Sequence, residues 1–360
     1  MDDCEKNFIL NVLKKYWNAD LPLKYYEFSK ENIESLIDFV KRNRIEGYFY
    51  KVLVSRNSLK DIYAELFERL EVIYNQNVKE YSKSLDAIDY VCYCLIQNTV
   101  EYAFVNGSYL IPFICECGLR IQKDIDILIS KDSYEIVNTM LLEQGFVQTI
   151  CKDGICRVAS RLEKIVSLKN NREIIPYFKS CADLKLGDIW VDIDLVDISC
   201  DCFANMIEYQ VYRNDMTIPC LKFLENFAYI CHQIYKKSKS YMYTITHLDV
   251  LLYRYCELYQ LLNNKMNLIF GDEFRKICIK MHIEKEIFFV LTNLLDLFDE
   301  LFEEEQKESF LNFIENLNIS DLSYINQVYD EKKKNIYVCD CTFIEWVFME
   351  ERLGHLKKIS

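Results

Sequence analysis

The run Asp-Ile-Asp-Ile-Leu-Ile at residues 124–129 constrains the fold of this 360-residue chain more than any other feature. Side chains alternate between the two faces of a β-strand, so Asp124 and Asp126 share one face while Ile125 and Ile127 share the other. Two neighbouring carboxylates repel each other and are costly unless a cation neutralises them. The run therefore predicts a strand with one buried face and one cation-binding face.

A Gly-Ser turn precedes this strand. The segment Val105-Asn106-Gly107-Ser108 follows an apolar stretch and leads into a predicted helix over residues 109–117. The start of a helix binds phosphates because backbone N–H groups and the helix dipole converge there. Magnesium is bound by carboxylate oxygens and accepts substrate phosphates as further ligands. Together the turn and the acidic strand predict a metal–phosphate site.

These motifs resemble those of the nucleotidyltransferase superfamily that shares the palm of DNA polymerase β. The order Arg-x-x-x-Asp-x-Asp-x-Leu, beginning at Arg120, is similar to one branch of bacterial nucleotidyltransferases, although this chain has Asn106-Gly107 where that branch usually has Lys-Gly. The resemblance implies an α+β fold, in which a polymerase β-like palm of mixed sheet and helices is flanked by helical N- and C-terminal regions.

The resemblance also implies roles for four carboxylates. Asp124 and Asp126 would bind two Mg²⁺ ions, one holding the triphosphate of an NTP and the other activating the acceptor hydroxyl. A third carboxylate is expected on the predicted strand over residues 188–197. Asp192 is the first choice for this position, as a metal ligand or as the acceptor of the hydroxyl proton, and Asp194 is the alternative.

Further residues around the motifs are expected to contact the nucleotide. Gly107 and Ser108 would contact the β- and γ-phosphates through backbone N–H groups and the hydroxyl. Arg120 and Lys123 would offset triphosphate charge. A Gly-Ser dipeptide is also a common turn, and both cations are equally compatible with an ordinary surface position.

A histidine on a predicted helix after the palm completes the resemblance. His232 would face the nucleotide or the acceptor pocket, with Asp249 as a possible partner. A histidine on an apolar helix is as often a core residue, so both interpretations of His232 stay open.

Three segments of different character divide the chain. Residues 1–98 are predicted to be a helical N-terminal region, 99–200 the palm, and 201–360 a helical C-terminal domain, whose tail over 342–357 is a further predicted helix. The palm is predicted to contain a helix at 132–144 and strands at 101–106, 123–130, 146–150, 156–159, 164–168 and 188–197.

Composition limits the partners. The net charge is −13, whereas a protein that binds nucleic acid normally carries a basic face, so an NTP and a small-molecule or protein acceptor are favoured over a nucleic acid. No uncharged apolar run reaches the roughly 18 residues of a membrane helix. The N-terminus lacks a secretory pattern, so a cytoplasmic location is expected. The sequence gives no signal for an oligomeric state.

The 16 cysteines do not form a recognisable metal-binding pattern. Four pairs have the spacing Cys-x-Cys, none has Cys-x-x-Cys, and the chain has only 4 histidines. We therefore expect reduced thiols that behave as small buried apolar side chains.

Two functions of different classes fit these observations. The first is an enzyme that moves a nucleoside monophosphate from an NTP such as ATP to a hydroxyl and releases pyrophosphate. The alternative is a non-catalytic interaction protein on the same fold, such as an antitoxin-like regulatory protein. A nucleic-acid polymerase is disfavoured by the charge.

Overall fold

The computed structural model describes residues 1–96, 100–152, 154–170, 174–181, 187–197 and 200–359. The chain forms two compact units: a terminal unit of Met1–Tyr74 with Phe227–Ser360, and a central unit of Asn75–Asn226. The predicted boundary between residues 98 and 99 lies outside the described residues, and residue 200 lies within the central unit.

The helices of the described residues are, in chain order, α1 Asp3–Trp17, α2 Lys30–Arg42, α3 Glu46–Val54, α4 Asn57–Ile62, α5 Ala64–Ile96, α6 Asn106–Phe113, α7 Tyr134–Glu143, α8 Arg161–Asn170, α9 Cys200–Ala204, α10 Phe223–Ser238, α11 Tyr241–Ile245, α12 Leu252–Asn264, α13 Met266–Ile269, α14 Asp272–Met281, α15 Glu284–Phe298, α16 Glu304–Glu315 and α17 Phe343–Phe348. The strands are β1 Tyr102–Phe104, β2 Asp124–Ser130, β3 Val147–Lys152, β4 Ile155–Val158, β5 Tyr177–Cys181, β6 Gly187–Val196, β7 Ile207–Val211, β8 Thr217–Leu221, β9 Gln327–Asp330, β10 Asn335–Cys339 and β11 Leu356–Lys358.

The central unit is built on a mixed sheet of eight strands in the order β4-β3-β5-β6-β2-β1-β8-β7. Strand β2 pairs parallel with β6 and antiparallel with β1, and β1 pairs parallel with β8. The expected α+β class is therefore confirmed. The sheet extends to Leu221, beyond the expected end of the palm near residue 200, because β7 and β8 join its edge.

Strands β2 and β6 have one apolar face and one polar face, as their alternation predicts. Ile125 and Ile127 of β2 are buried, whereas Asp124 and Asp126 are half-buried. The apolar face is covered by helices of the same unit. For example, the hydroxyl of Tyr177 on β5 donates a hydrogen bond to Asn138 Oδ1 on α7 at 2.6 Å.

One predicted strand is wrong: residues 164–168 lie in helix α8. The helix begins with a reciprocal capping pair, in which Ser160 N–H donates to Glu163 Oε2 at 2.9 Å and Glu163 N–H donates to Ser160 Oγ at 3.4 Å. Such a pair satisfies two backbone donors at a helix start. A short apolar run alone cannot distinguish a strand from a helix, and here the cap favours the helix.

The terminal unit is mostly helical and contains a small antiparallel sheet in the order β11-β10-β9. The predicted C-terminal helix over 342–357 is therefore only partly right, because α17 ends at Phe348 and the residues after it lead into β11. Among the described residues, no helix combines the length and the apolar character that crossing a membrane requires.

The structure corrects the expectation that all thiols are reduced. Cys151 and Cys156 form a disulfide between β3 and β4, where antiparallel pairing places them directly opposite each other. Their Cα atoms are 4.1 Å apart. The other cysteines are free, and most of them are buried, as expected for small apolar side chains.

Candidate functional site

Parallel pairing of β2 with β6 brings three carboxylates together on the polar face of the sheet. Asp126 lies directly opposite Asp192 in the register, and Asp124 lies one alternation before Asp126. One carboxylate oxygen from each of the three lies within 4.8 Å of the other two. All three side chains are half-buried, so they are shielded from bulk water but open on one side.

The spacing of these oxygens fits a divalent cation with oxygen ligands. Magnesium binds oxygen at about 2.1 Å, so two of its ligands can be up to roughly 4.2 Å apart. Small side-chain rotations that move each oxygen by a few tenths of an ångström would bring oxygens 4.8 Å apart within this distance. A group of three carboxylates that includes no histidine or cysteine suits Mg²⁺ or Mn²⁺ better than zinc or copper.

Asp194 shares the face of Asp192 but lies further along β6. Its register partner is Leu128, whereas the partner of Asp192 is Asp126. Two residues along a strand correspond to about 6.6 Å. Asp192 is thus the β6 carboxylate that the structure brings beside the pair, and Asp194 continues the acidic row away from it.

Ser108, at the start of α6, is fully buried and ties the Gly-Ser turn to the acidic strand. Its hydroxyl oxygen accepts hydrogen bonds from the backbone N–H of Asp126 and from Gln122 Nε2, each at 2.8 Å. The hydroxyl therefore positions β2. The contact with a phosphate that the sequence predicts for Ser108 stays a prediction.

Gly107 is required by a close approach of two side chains. A Cβ atom at this position would lie 2.9 Å from Arg120 Nη2 and 3.0 Å from Gln122 Cδ. The first contact is shorter than real Cβ contacts and the second is tighter than most of them, and both side chains are buried, so a larger residue would have to displace them. The Arg120 guanidinium therefore lies beside the turn, while Lys123 is exposed immediately before Asp124.

Gln122 is a site residue that the sequence did not reveal. It is 6% exposed, and its Nε2 donates to Ser108 Oγ and to the backbone carbonyl of Asp124. The Gln122 amide thus connects the turn with the first residue of the Asp-x-Asp motif, while the Ser108 hydroxyl connects it with the last. A single glutamine between two basic residues has no distinctive sequence signal, so only the structure identifies this connection.

His232 and Asp249 lie in the terminal unit and do not pair with each other. His232 Nδ1 lies 2.7 Å from Glu286 Oε2. Asp249 is buried and accepts hydrogen bonds from the Arg352 guanidinium and from Trp346 Nε1, the latter at 2.9 Å. The expected pairing of His232 with Asp249 is therefore wrong, because a buried arginine already neutralises this carboxylate. A nucleotide-facing role for His232 stays a prediction.

Comparison with known proteins agrees with the motifs. The model of a family described as uncharacterised nucleotidyltransferases matches residues 29–299, which is most of the chain. This chain belongs to that family. The crystal structure of an antigenic nucleotidyltransferase-like protein from Paracoccidioides brasiliensis is similar at a TM-score of 0.33 and 12% identity, covering 61% of this chain and 94% of that one. No curated protein matches the chain significantly.

Proposed function

We propose that this protein is a Mg²⁺-dependent nucleotidyltransferase. It transfers a nucleoside monophosphate from an NTP to a hydroxyl of a small molecule or a protein and releases pyrophosphate. The observation that carries this proposal is the convergence of Asp124, Asp126 and Asp192 in a chain of a nucleotidyltransferase family.

In this proposal Asp124, Asp126 and Asp192 hold the metal. Bound there, Mg²⁺ would supply positive charge to the triphosphate and lower the pKa of the acceptor hydroxyl. We assign to Asp194, further along the same face of β6, the acceptance of the proton of that hydroxyl on a carboxylate oxygen. Ser108 and Gln122 hold the backbone of the acidic strand in place.

The charges around the turn support binding of a triphosphate. Gly107 and the start of α6 offer backbone N–H groups, and Arg120 and Lys123 add positive charge at the beginning of β2. The motif resemblance alone supports a contact of His232 with the nucleotide or the acceptor, and we propose it on that ground. The net charge of −13 favours an acceptor other than nucleic acid.

Replacing the metal-binding carboxylates tests the proposal. Loss of residues that merely support a metal ligand typically costs 10–100-fold in affinity, so the double variant Asp124→Asn/Asp126→Asn should weaken Mg²⁺-dependent ATP binding by at least about 100-fold. The measurement is isothermal titration calorimetry with and without Mg²⁺. Asp132→Asn, which removes an exposed carboxylate just after β2, is the matched control and should bind like the wild type.

Equal affinity of the wild type and the double variant would refute the metal site. A second assay separates catalysis from binding, because a transferase releases pyrophosphate from ATP when a suitable hydroxyl compound or protein is present. Binding of Mg²⁺-ATP without pyrophosphate release across small-molecule and protein acceptors would favour the non-catalytic alternative.

A further inference from the structure

A row of aromatic and apolar side chains leads directly to the first carboxylate of the acidic cluster. The register places Val147 opposite Phe178, Phe178 opposite Trp190, and Trp190 opposite Asp124. Residues directly opposite each other on paired strands project from the same face of the sheet. The row therefore crosses β3, β5, β6 and β2 on the face that carries the acidic cluster.

Phe178 and Trp190 form a ring pair on that face. Their ring centroids lie 4.7 Å apart with an interplanar angle of 47°. Both side chains are half-buried, whereas Tyr177 and Val191, their neighbours on the opposite face, are fully buried. Two large rings thus keep part of their surface open beside a cluster of charges.

A cavity of about 250 Å³ adjoins Trp190. Its wall also includes Lys123, directly before the first carboxylate, and the buried Ile125 and Ile189 of the apolar face, so the cavity lies at the start of β2 and β6. The surroundings of Trp190 therefore include an ammonium donor, Lys123, directly before its register partner Asp124, beside the apolar surface of the ring. This combination suits a planar heteroaromatic ring with polar edges, because the ring face needs stacking and its edges need hydrogen bonds.

We propose that the Phe178–Trp190 pair stacks on the nucleobase of the donor nucleotide. The inference rests on the proposed function, since the acidic cluster must hold the triphosphate of the same molecule. Neighbouring strands are about 4.8 Å apart, so the pair begins one strand from Asp124 and ends roughly 10 Å from it. Stacking on aromatic side chains is tolerant of base identity, because every base has a π face.

The test compares two ligands that differ in the base. Tripolyphosphate carries the phosphate chain of ATP without nucleoside, so calorimetric titration of both with Mg²⁺ isolates the contribution of the nucleoside. Aromatic-to-alanine changes at stacking sites cost on the order of tenfold or more per base, so Trp190→Ala should weaken ATP binding by about tenfold. Binding of tripolyphosphate should stay within about twofold of the wild type, because the metal-binding carboxylates are unchanged.

Three further variants make the result specific. Trp190→Leu keeps an apolar side chain without a π face and should show the same selective loss, which covers the case in which Trp190→Ala does not fold. Trp190→Phe should retain most of the affinity for ATP. Tyr209→Ala removes a 65% exposed aromatic side chain at the other end of the same sheet and should change neither affinity.

Three results would overturn the inference, and they are distinguishable. If folded Trp190 variants bind ATP like the wild type, or lose affinity for ATP and tripolyphosphate equally, the stacking role is wrong while the metal site stands. If the wild type binds neither ligand with Mg²⁺, the proposed function fails and the stacking role fails with it.

Discussion

At the scale of single residues, the hydroxyl of Ser108 is the centre of the candidate site. It accepts two hydrogen bonds from buried donors, the Asp126 N–H and Gln122 Nε2. Gln122 in turn donates to the carbonyl of Asp124. The positions of both motif carboxylates on β2 therefore depend on side chains outside the Asp-x-Asp motif.

Replacing Ser108 with alanine should destabilise the central unit. The change leaves two buried donors without their acceptor, at a cost of about 1–3 kcal/mol in the free energy of unfolding. It should also weaken Mg²⁺-dependent ATP binding, because the acidic strand loses an anchor. Urea denaturation and calorimetry measure the two effects.

Ser84→Ala is the matched control for this prediction. The hydroxyl of Ser84 is buried in the same unit, but its single hydrogen is donated, to the Glu80 carbonyl at 2.9 Å with the Gln122 carbonyl at 3.3 Å, so its loss leaves no buried donor unsatisfied. A loss of stability in Ser108→Ala no larger than in Ser84→Ala would argue against the anchoring role.

The sequence predicts the acidic residues of the site better than the residues that hold them in place. Alternation fixes Asp124 and Asp126 on one face, and the same rule puts Asp192 and Asp194 together on β6. Alternation alone does not decide between the latter two, because the choice depends on the strand register, which is a long-range property. Gln122 acts through the geometry of its amide group, which no spacing in the sequence encodes.

At the scale of elements, long amphipathic helices and alternating strands are predictable, and short segments are not. The sequence predicts a strand over residues 164–168, within helix α8, because the apolar run there is too short to show a helical period. Strands β7 and β8 were not predicted, since their existence depends on pairing with β1 and with each other. A local cap thus decides the first outcome, and pairing with partners distant in sequence decides the second.

Lys239 joins elements of the terminal unit and makes its stability depend on pH. The side chain follows α10, is 5% exposed, and donates to the backbone carbonyls of Tyr324 and Ile325 just before β9. Its Nζ lies 3.9 Å from the ring centroid of Phe289, and no ion pair links Lys239 to a carboxylate among the described residues. Burial lowers the pKa of Lys239 to about 7.

We expect Lys239 to make a contribution to the free energy of unfolding that rises between pH 7 and about 10.5, against the opposite contribution of buried cysteines whose pKa values are raised. In this window the unfolded chain binds a proton on the lysine that the folded protein does not, so stability increases with pH. Lys239→Met should reduce this rise by up to several kcal/mol, since each pKa unit is worth about 1.4 kcal/mol. Denaturant titrations at intervals across the window measure it as the difference between wild type and variant.

The exposed Lys285, which lies beside the ring of Tyr324, provides the control. Lys285→Met should leave the pH dependence of stability as it is in the wild type. If the profiles of Lys239→Met and the wild type run parallel across the window, then burial does not lower the pKa of Lys239.

At the scale of the whole molecule, the family and the acidic cluster bear on the nucleotide donor of the proposed reaction and say little about its acceptor. The match to uncharacterised nucleotidyltransferases covers residues 29–299, and the cluster provides oxygen ligands for a hard cation. The choice of acceptor is restricted mainly by the net charge of −13, which disfavours a polyanion such as a nucleic acid. The terminal unit combines both ends of the chain, an arrangement that composition and periodicity do not reveal.

The most direct test of the account is to locate the metal by X-ray diffraction. Mn²⁺ is bound by carboxylates like Mg²⁺ and gives an anomalous signal, so crystals grown with Mn²⁺ and a non-hydrolysable ATP analogue should show it. We expect an anomalous peak bound by Asp124, Asp126 and Asp192, and its disappearance in Asp124→Asn/Asp126→Asn. Crystals that contain the analogue but show no peak at these carboxylates would contradict the account.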